Sequence, residues 1–283
     1  MKKSKYDEIG YWSEVKLDII KEYAAAYTKI MSVQRDPSFT YIYIDAFAGS
    51  GRHISKKTGE FVPGSPLNAL SIERPFHEYH FIDLNDLKVA ELESLAGERK
   101  DIFIYHGDCN QILPQMVLPR AVYGQYRRAL CILDPYGLHL NWKVIEMAGK
   151  MKSVEVFLNF PIMDINMNVL KRDQRKVDTE QVSRMNDYWG DESWREVAYS
   201  KAKQQQLPGF GDAPDEKTTN EALKAGFRNR LKAVAGFEYV PAPMPMRNSN
   251  NAIVYYLFFA SHKPVAKNIV DSIFNKYSQR RAD

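Results

Sequence analysis

The chain has 283 residues, of which 45% are hydrophobic and 26% charged, a composition typical of a globular protein and not of a disordered or fibrous one. Its formal net charge of +4 is compatible with a nucleic-acid partner but is far from that of a histone-like protein. Two cysteines exclude a disulfide framework, and no stretch approaches the roughly 20 apolar residues that a membrane span needs. The N-terminal stretch MKKSKYDEIGYWSEVKLDII lacks the apolar segment of a signal peptide. We therefore expect a cytoplasmic protein in a reducing compartment, without membrane contact.

The N-terminal half shows a regular alternation of patterns. Apolar residues recur at helical spacing over residues 12–35, which predicts a helix. Between residues 40 and 161, five apolar or β-branched stretches alternate with helical patterns. This alternation predicts an α/β fold with a doubly wound, mostly parallel sheet whose central strands are buried on both faces.

The pattern changes after the fifth predicted strand. Residues 163–217 are polar and charged, and they predict two helices, around 178–189 and 191–203, followed by a loop rich in Pro and Gly. A helix, two strands joined by the turn NSNN and a last helix then close the chain. We expect four segments: an N-terminal helical segment (1–38), a Rossmann-like core (39–162), a helical insert as a candidate substrate-recognition element (163–217), and a C-terminal segment that completes the core (218–283).

Acidic residues end the first three predicted strands. Because ligands of open α/β sheets bind outside the carboxyl ends of the strands, these ends are candidate site positions. The first strand leads into DAFAGSG (45–51), whose small residues let a ligand approach the backbone but which lacks the Gly-Lys-Ser/Thr of a nucleotide-triphosphate loop. Asp83 and Asp108 end the next two strands, where a carboxylate can hold ribose hydroxyls or an adenine amine. Each carboxylate alone is equally well explained as a helix cap, whereas their succession along the chain favours a binding site.

The fourth strand ends in a tetrapeptide with unusual chemistry, Asp134-Pro135-Tyr136-Gly137. A proline and a glycine suffice for a turn, so the carboxylate and the aromatic ring are additional, and both can grip a flat polar molecule. A turn with a capping aspartate is the alternative. Asn159 ends the fifth strand and either adds an amide to the same edge or simply forms the turn before the next proline.

The order of these features resembles the class I S-adenosylmethionine-dependent methyltransferases. The resemblance implies that the small-residue loop and the start of the following helix hold the methionine moiety, the acid of the second strand holds the ribose, and the acid of the third strand meets the adenine. The residues implied to bind the cofactor are Asp45, Ala46, Phe47, Gly49, Gly51, Ser65, Asp83, Asp108 and Cys109. The closing strand pair is also similar to that of this fold, whose last strand is antiparallel.

A narrower resemblance covers about residues 40–262 and is weakest over 163–216. The stretches YIDAFAGSGR, GSPLNAL, GDCN, LDPYG, LNFP and YYLFFAS are together similar to the three-Cys-motif partner proteins, the TcmP family. That family is described as methyltransferase-like and, by its name, assembles with a second polypeptide. The resemblance therefore implies either a methyltransferase or a non-catalytic S-adenosylmethionine-binding subunit with a partner protein.

The tetrapeptide also resembles the Asp/Asn/Ser-Pro-Pro-aromatic motif of adenine-N6 and cytosine-N4 methyltransferases. In that motif an oxygen of the first residue and a backbone carbonyl accept hydrogen bonds from the target amine, and the ring stacks on the base. This chain has one proline where those enzymes have two, so its aromatic residue comes one place earlier. We predict a methyltransferase acting on a base amine of DNA or RNA, with a small molecule or a protein as alternative acceptors. The predicted catalytic residues are Asp134, Pro135, Tyr136 and Asn159.

Three further patterns complete the prediction. The basic stretch LKRDQRK in the insert either neutralises phosphates or forms a solvated helix face; its candidate residues are Lys171, Arg172, Arg175 and Lys176. The six histidines lack metal-ligand spacing, so we expect no catalytic metal. The long segment between Gly51 and Ser65 is predicted to be a mobile loop that forms part of a lid over the pocket.

Overall fold

The computed structural model describes residues 6–171, 177–200, 216–217 and 219–280. A seven-stranded sheet forms its centre, with neighbours parallel from one edge through five strands and the sixth strand antiparallel to both of its neighbours. This confirms the predicted α/β, doubly wound sheet with an antiparallel last strand. In spatial order the strands, numbered along the chain, are β6 (Ile102–His106), β5 (Glu78–Asp83), β2 (Thr40–Asp45), β7 (Arg127–Leu133), β8 (Val154–Phe160), β12 (Ile253–Ala260) and β11 (Met244–Arg247).

Helices cover both faces of this sheet, and none of those described combines the length and apolar character that crossing a membrane requires. One face carries the first, second, third and last helices, and the other face carries the rest. The α-helices are α1 (Tyr11–Met31), α2 (Ser65–Leu70), α3 (Asp86–Ala96), α4 (Cys109–Ile112), α5 (Trp142–Met151), α6 (Ile162–Asp164), α7 (Thr179–Trp189), α8 (Trp194–Ala198), α9 (Asn220–Ala233) and α10 (Pro264–Ser278).

The central strands are apolar throughout because both of their faces are covered. In β2, Ile42 and Ile44 pack into the core on one face, whereas Tyr41 and Tyr43 pack into the core on the other. All four side chains are buried. Successive side chains of a strand point to opposite faces, so a strand buried on both sides reads as a continuous apolar run.

Several predicted boundaries are wrong for identifiable reasons. The first helix ends at Met31, ahead of a turn in which the Asp36 carboxylate accepts a hydrogen bond from the backbone N–H of Ser38. Of the helix predicted over 191–203, the described residues form only the short α8, which leads into β9 (Tyr199–Ser200), paired antiparallel with β10 (Glu216–Lys217). Residues 201–203 lie outside the described residues. The stretch FEYVPAPMPMR forms a regular strand only in β11, because Pro241 and Pro243 ahead of it lack the N–H that a continuous ladder needs, whereas Pro245 is tolerated in β11 at the edge of the sheet.

The segment between Gly51 and Ser65, predicted as a loop, forms a β-hairpin in the structure. It consists of β3 (Arg52–Ser55) and β4 (Phe61–Pro63), and β1 (Asp7–Ile9) pairs parallel with β3. We refer to β1, β3 and β4 together as the strap. The two ends of the β3–β4 hairpin pass close to each other, since a Cβ on Gly64 would lie 2.9 Å from the carbonyl of Gly51.

A buried carboxyl group fixes α1 to the sheet on the side away from the ends of β2 and β7. Glu155 of β8 is 7% exposed and accepts hydrogen bonds from the Tyr23 hydroxyl of α1 and, at 3.2 Å, from the Ser261 hydroxyl. Burial raises the pKa of Glu155 to about 7, against the partial opposition of these two donors. The folded protein therefore holds this group protonated at pH values where the unfolded chain ionises it.

We predict that this group makes the protein less stable as the pH rises from about 4.5 to about 7. In that window the unfolded chain has lost the proton and the folded chain still holds it, so the free energy of unfolding falls by up to about 3 kcal/mol. Glu155→Gln cannot ionise and should flatten this dependence. Urea denaturation of both proteins between pH 5 and pH 8 measures the difference, and curves that stay parallel would contradict the assignment.

Candidate functional site

A cleft of about 1190 Å³ lies where β2, β5, β6 and β7 end. Its walls come from the loops after these four strands, from the strap, from the first turns of α1 and from α7. This is the edge of the sheet at which ligands of open α/β folds bind. The volume is at the upper end of that of pockets for small ligands and cofactors.

Most of the residues predicted to bind a cofactor share this cleft. Asp45 is fully buried behind it, and Gly51 lies behind it at the base of the strap. The predicted residues that line the cleft are Ala46, Phe47, Gly49, Ser65, Asp83, Asp108 and Cys109.

Asp83 is not the cap of the helix that follows it. The N-cap of α3 is Asn85, whose side-chain oxygen accepts from the backbone N–H groups of Leu87 and Lys88 at 3.0 and 3.1 Å. Asp83 instead accepts from the backbone N–H of Gly49 at 2.8 Å with one oxygen, and from that of Asn85 at 2.9 Å with the other. A carboxylate has about four acceptor sites, so Asp83 keeps capacity for donors in the cleft.

Asp108 combines both of the roles considered for it. Its side chain caps α4 by accepting from the backbone N–H of Asn110 at 2.9 Å, and it also lines the cleft. Asn110, which the sequence did not single out, accepts from the backbone N–H of Asn141 at 2.7 Å and donates to the carbonyl of His139 at 3.3 Å. These bonds tie the end of β6 to the loop after β7.

The backbone after β2 leaves room for a ligand. A Cβ built on Gly49 (φ +64°) meets no atom within 4 Å, so open space lies beside this backbone. At the other side of the loop the N-cap of α2 is Gly64, and Ser65 is the first helical residue. A cradle with open backbone at Gly49 and free carboxylate capacity at Asp83 fits the ribose and methionine parts of S-adenosylmethionine.

A buried lysine reaches the tetrapeptide from α1. Lys16 donates a hydrogen bond to Oδ2 of Asp134, and the two side chains are 11% and 30% exposed. Burial alone would lower the pKa of Lys16, but the charge of Asp134, with Tyr255 and Asp45 nearby, outweighs burial and raises it. Lys16 is therefore a cation in the folded protein, and Asp134 is its counter-ion.

Asp45 is the second carboxyl group near this lysine. Burial raises the pKa of Asp45 to about 7, although Ser65 and the backbone N–H of Phe47 oppose the change. One of its oxygens accepts from that N–H at 3.2 Å, and the other has no hydrogen-bond partner among the described residues. Near neutral pH, Asp45 is thus poised between its neutral and its charged form.

The four residues predicted to be catalytic occupy different environments. Tyr136 lines the cleft with a side chain that is 91% exposed, and Asp134 lies beside it. Pro135 is buried beneath them. Asn159 is buried as well, and neither of these two lines the cleft; the Asn159 carbonyl accepts from the Tyr188 hydroxyl at 2.7 Å.

The insert contributes two cleft residues that are not among the predicted site residues. Arg184 and Asp187 of α7 line the wall next to the tetrapeptide. Gly137 (φ +65°) permits this approach, since a Cβ there would lie 2.9 Å from Oδ2 of Asp164 and 3.2 Å from Nη2 of Arg184. The glycine of the tetrapeptide is therefore needed for contact with the insert as well as for the turn.

Of the predicted phosphate-binding residues, only Lys171 belongs to the described part of the chain. Lys171 is exposed and does not line the cleft. Arg172, Arg175 and Lys176 lie outside the described residues. Within the described ranges, no group of three or more His, Cys, Asp or Glu side chains is placed to hold a metal ion.

Comparison with known proteins supports the fold. No family model and no curated protein matches the chain. Among solved structures, protein LPL1258 from Legionella pneumophila, assigned to the family model DUF519, matches 93% of this chain and 92% of its own at 12% identity, with a TM-score of 0.52. A proposed S-adenosylmethionine-dependent methyltransferase from Listeria monocytogenes matches 85% and 98% at 11% identity with a TM-score of 0.39. A proposed methyltransferase from Thermobifida fusca matches 87% and 81% at 9% identity with a TM-score of 0.40.

At 12% identity and a TM-score of 0.52, the likeness to LPL1258 shows the fold alone. The chain has an α/β, Rossmann-like fold, as the sequence predicted. Membership of the TcmP family is not established by a family match.

We predict that Asp134→Ala lowers the free energy of unfolding by about 3 kcal/mol, because it leaves the buried Lys16 ammonium without a counter-ion. Adding Lys16→Met should recover more than half of this loss, so the two effects should be strongly non-additive. Chemical denaturation of the two single variants and the double variant measures the coupling.

The exposed ion pair between Lys88 and Asp7 (2.7 Å) provides the matched control. Asp7→Ala should change stability by less than about 1 kcal/mol. Equal small effects of Asp7→Ala and Asp134→Ala would contradict the role assigned to Lys16.

Proposed function

We propose that the protein is an S-adenosylmethionine-dependent methyltransferase whose acceptor is an amine on a nucleic-acid base. One observation carries the proposal: a single cleft joins Asp83 and the open backbone at Gly49 to Asp134 and the exposed ring of Tyr136. The first pair fits the cofactor, and the second pair fits a flat amine next to it.

The cofactor half of the cleft would hold S-adenosylmethionine, which supplies an electrophilic methyl group when bound. Asp83 would accept hydrogen bonds from the ribose hydroxyls with the capacity that Gly49 and Asn85 leave free. Asp108 would accept from the adenine amine, since Asn110 occupies one of its oxygens only. Cys109 adds a neutral contact there, because burial raises the pKa of its thiol to about 12.

Asp134 would orient the acceptor. Lys16 binds its Oδ2, and no hydrogen bond to Oδ1 is formed among the described residues. A carboxylate whose rotation is stopped by a buried cation holds its free oxygen in one place, and this oxygen can accept a hydrogen bond from an amine N–H. The amine lone pair is then turned away from Asp134 and towards the cofactor half. Lys16 acts in this scheme as a positioning residue.

Tyr136 would supply the contact surface for the acceptor ring. An aromatic side chain that is 91% exposed gains little from the protein and presents an open π-face to the cleft. Stacking of a base on such a ring is worth about 1–3 kcal/mol. This favours a planar acceptor such as a base of DNA or RNA over an aliphatic amine, and the mildly basic net charge of +4 is compatible with it.

We predict that Asp83→Ala weakens binding of S-adenosylmethionine by more than about tenfold, because a hydrogen bond to a charged group contributes about 1.5–3 kcal/mol. Asp86→Ala is the matched control, since Asp86 lies three residues further on, outside the cleft lining. Calorimetry on the folded variants measures both affinities. Equal affinities of the two variants would remove Asp83 from the site.

Methyl transfer itself is tested with tritiated S-adenosylmethionine and separate pools of DNA, RNA and protein. Label should enter a nucleic-acid pool, and Tyr136→Ala should abolish it whereas Tyr136→Phe retains most of it, because stacking needs the ring and not the hydroxyl. Label in the protein pool alone would contradict the acceptor. Tight cofactor binding with no labelled pool would favour a non-catalytic subunit that works with a partner protein.

A further inference from the structure

The helix α7 places an arginine with spare donors on the acceptor side of the cleft. Arg184 lines the cleft beside the tetrapeptide, and its helix is fixed by the buried side chains of Tyr188 and Trp189. A contact residue on a docked helix is held more rigidly than one on a loop, so its direction can select a ligand.

The hydrogen-bonding capacity of Arg184 is largely unused. A guanidinium has five N–H donors. Nη1 donates to the Gln181 side chain at 2.8 Å, while Nη2 is 3.4 Å from Nε2 of His139 and 3.7 Å from Oδ2 of Asp164. Among the described residues, the buried Nε has no hydrogen-bond partner, and neither has the buried Oδ2 of Asp164. A ligand that brings an acceptor atom to this guanidinium would satisfy donors that the described protein leaves unmatched.

The surrounding charges decide which acceptor atom fits. Asp164 lies within ion-pair distance of Arg184, and Asp187, one turn along α7, lines the same wall without a partner among the described residues. These two carboxylates would repel a phosphate at this position. They would not repel a neutral ring nitrogen or carbonyl oxygen, and Asp187 can also accept a hydrogen bond from a ligand N–H.

The guanidinium also lies close to the tetrapeptide that carries the exposed ring. A Cβ on Gly137 would be 3.2 Å from Nη2 of Arg184, so the arginine lies against the residue directly after Tyr136. Arg184 and Tyr136 line the same cleft, so a flat group that lies on Tyr136 can extend towards Arg184.

We propose that Arg184 is a specificity-determining residue that donates hydrogen bonds to a ring nitrogen or carbonyl oxygen of the base lying on Tyr136. The inference rests on the proposed function and deepens it. It defines the methyl acceptor as a heteroaromatic amine whose ring system also accepts a hydrogen bond. Arg184 would then recognise the base, whereas Asp134 would bind its amine.

The test is equilibrium binding of short single-stranded homopolymers of dA, dC, dG and dT to the full chain saturated with S-adenosylhomocysteine. The wild type should prefer one of the amine-bearing bases over dT. Arg184→Gln should reduce that preference by about tenfold and leave the salt dependence of binding unchanged, because base contacts specify and phosphate contacts set the salt slope. Arg195→Gln is the matched control, as it removes the same charge from α8, outside the cleft lining.

Three results would overturn the inference. Arg184→Gln could keep the wild-type preference; it could weaken all homopolymers alike with a smaller salt slope, as a phosphate contact would; or the wild type could bind no homopolymer or prefer none. Calorimetry with S-adenosylmethionine separates this inference from the proposed function. If one of these results is found and the wild type still binds S-adenosylmethionine, only the role of Arg184 is rejected. If the wild type does not bind S-adenosylmethionine, the methyltransferase function itself is rejected.

Discussion

The ion pair between Lys16 and Asp134 is the interaction on which the site depends. A buried ammonium group is destabilising without a counter-ion, so the fold must keep Asp134 charged and in place. The same contact fixes one oxygen of the carboxylate and leaves the other for a ligand. Stability and function thus both depend on Asp134, because removing it harms the fold as well as the chemistry assigned to it. Loss of activity in an Asp134 variant is informative only when the folded fraction is measured beside it.

Two segments outside the sheet complete the cleft around this pair. The strap covers one side, and its residues Asp7, His53 and Lys56 line the cleft. The insert covers the other side through α7, whose approach depends on Gly137. The sheet supplies the strand ends common to many α/β proteins, and the strap and the insert shape the opening above them. Features that distinguish one acceptor from another are therefore expected in these two segments and not in the sheet.

The sequence predicted the parts of the structure that local patterns determine. Apolar runs located the five parallel strands; the inner ones form continuous runs because they are buried on both faces, whereas β6 lies at the edge and is only partly buried. The residues at the strand ends follow from chain direction alone. Lys16 was missed because its partner is 118 residues away, a distance over which no local pattern operates. A signal was nevertheless present. Lys16 lies one turn from Ile20, on the face of α1 that also carries Tyr23, and a single cation on a buried face requires a counter-ion.

Other differences between the predicted and the observed structure also come from contacts that local sequence patterns do not show. The strap was predicted as a loop because β1 has three residues and pairs with a strand more than forty positions later. Asp83 and Asp108 each had a capping alternative, and only the positions of Asn85 and Asn110 show which of the two is a cap. Asn159 shares the sheet edge with the site but is buried and does not line the cleft; its backbone carbonyl accepts from the Tyr188 hydroxyl. The positions of these residues at strand ends therefore identified the edge of the sheet that bears the cleft, but they could not show which side chains reach the cleft.

The most direct test of this account is a crystal structure of the protein with S-adenosylhomocysteine bound. The ribose hydroxyls should lie within hydrogen-bond distance of Asp83. The sulfur should lie at the side of the cleft that Asp134 and Tyr136 border. An open space beside the sulfur, in contact with the Tyr136 ring, should remain for the acceptor. Binding at another place on the molecule, or a ligand whose sulfur points away from Asp134, would contradict the assignment of this cleft as the site of methyl transfer.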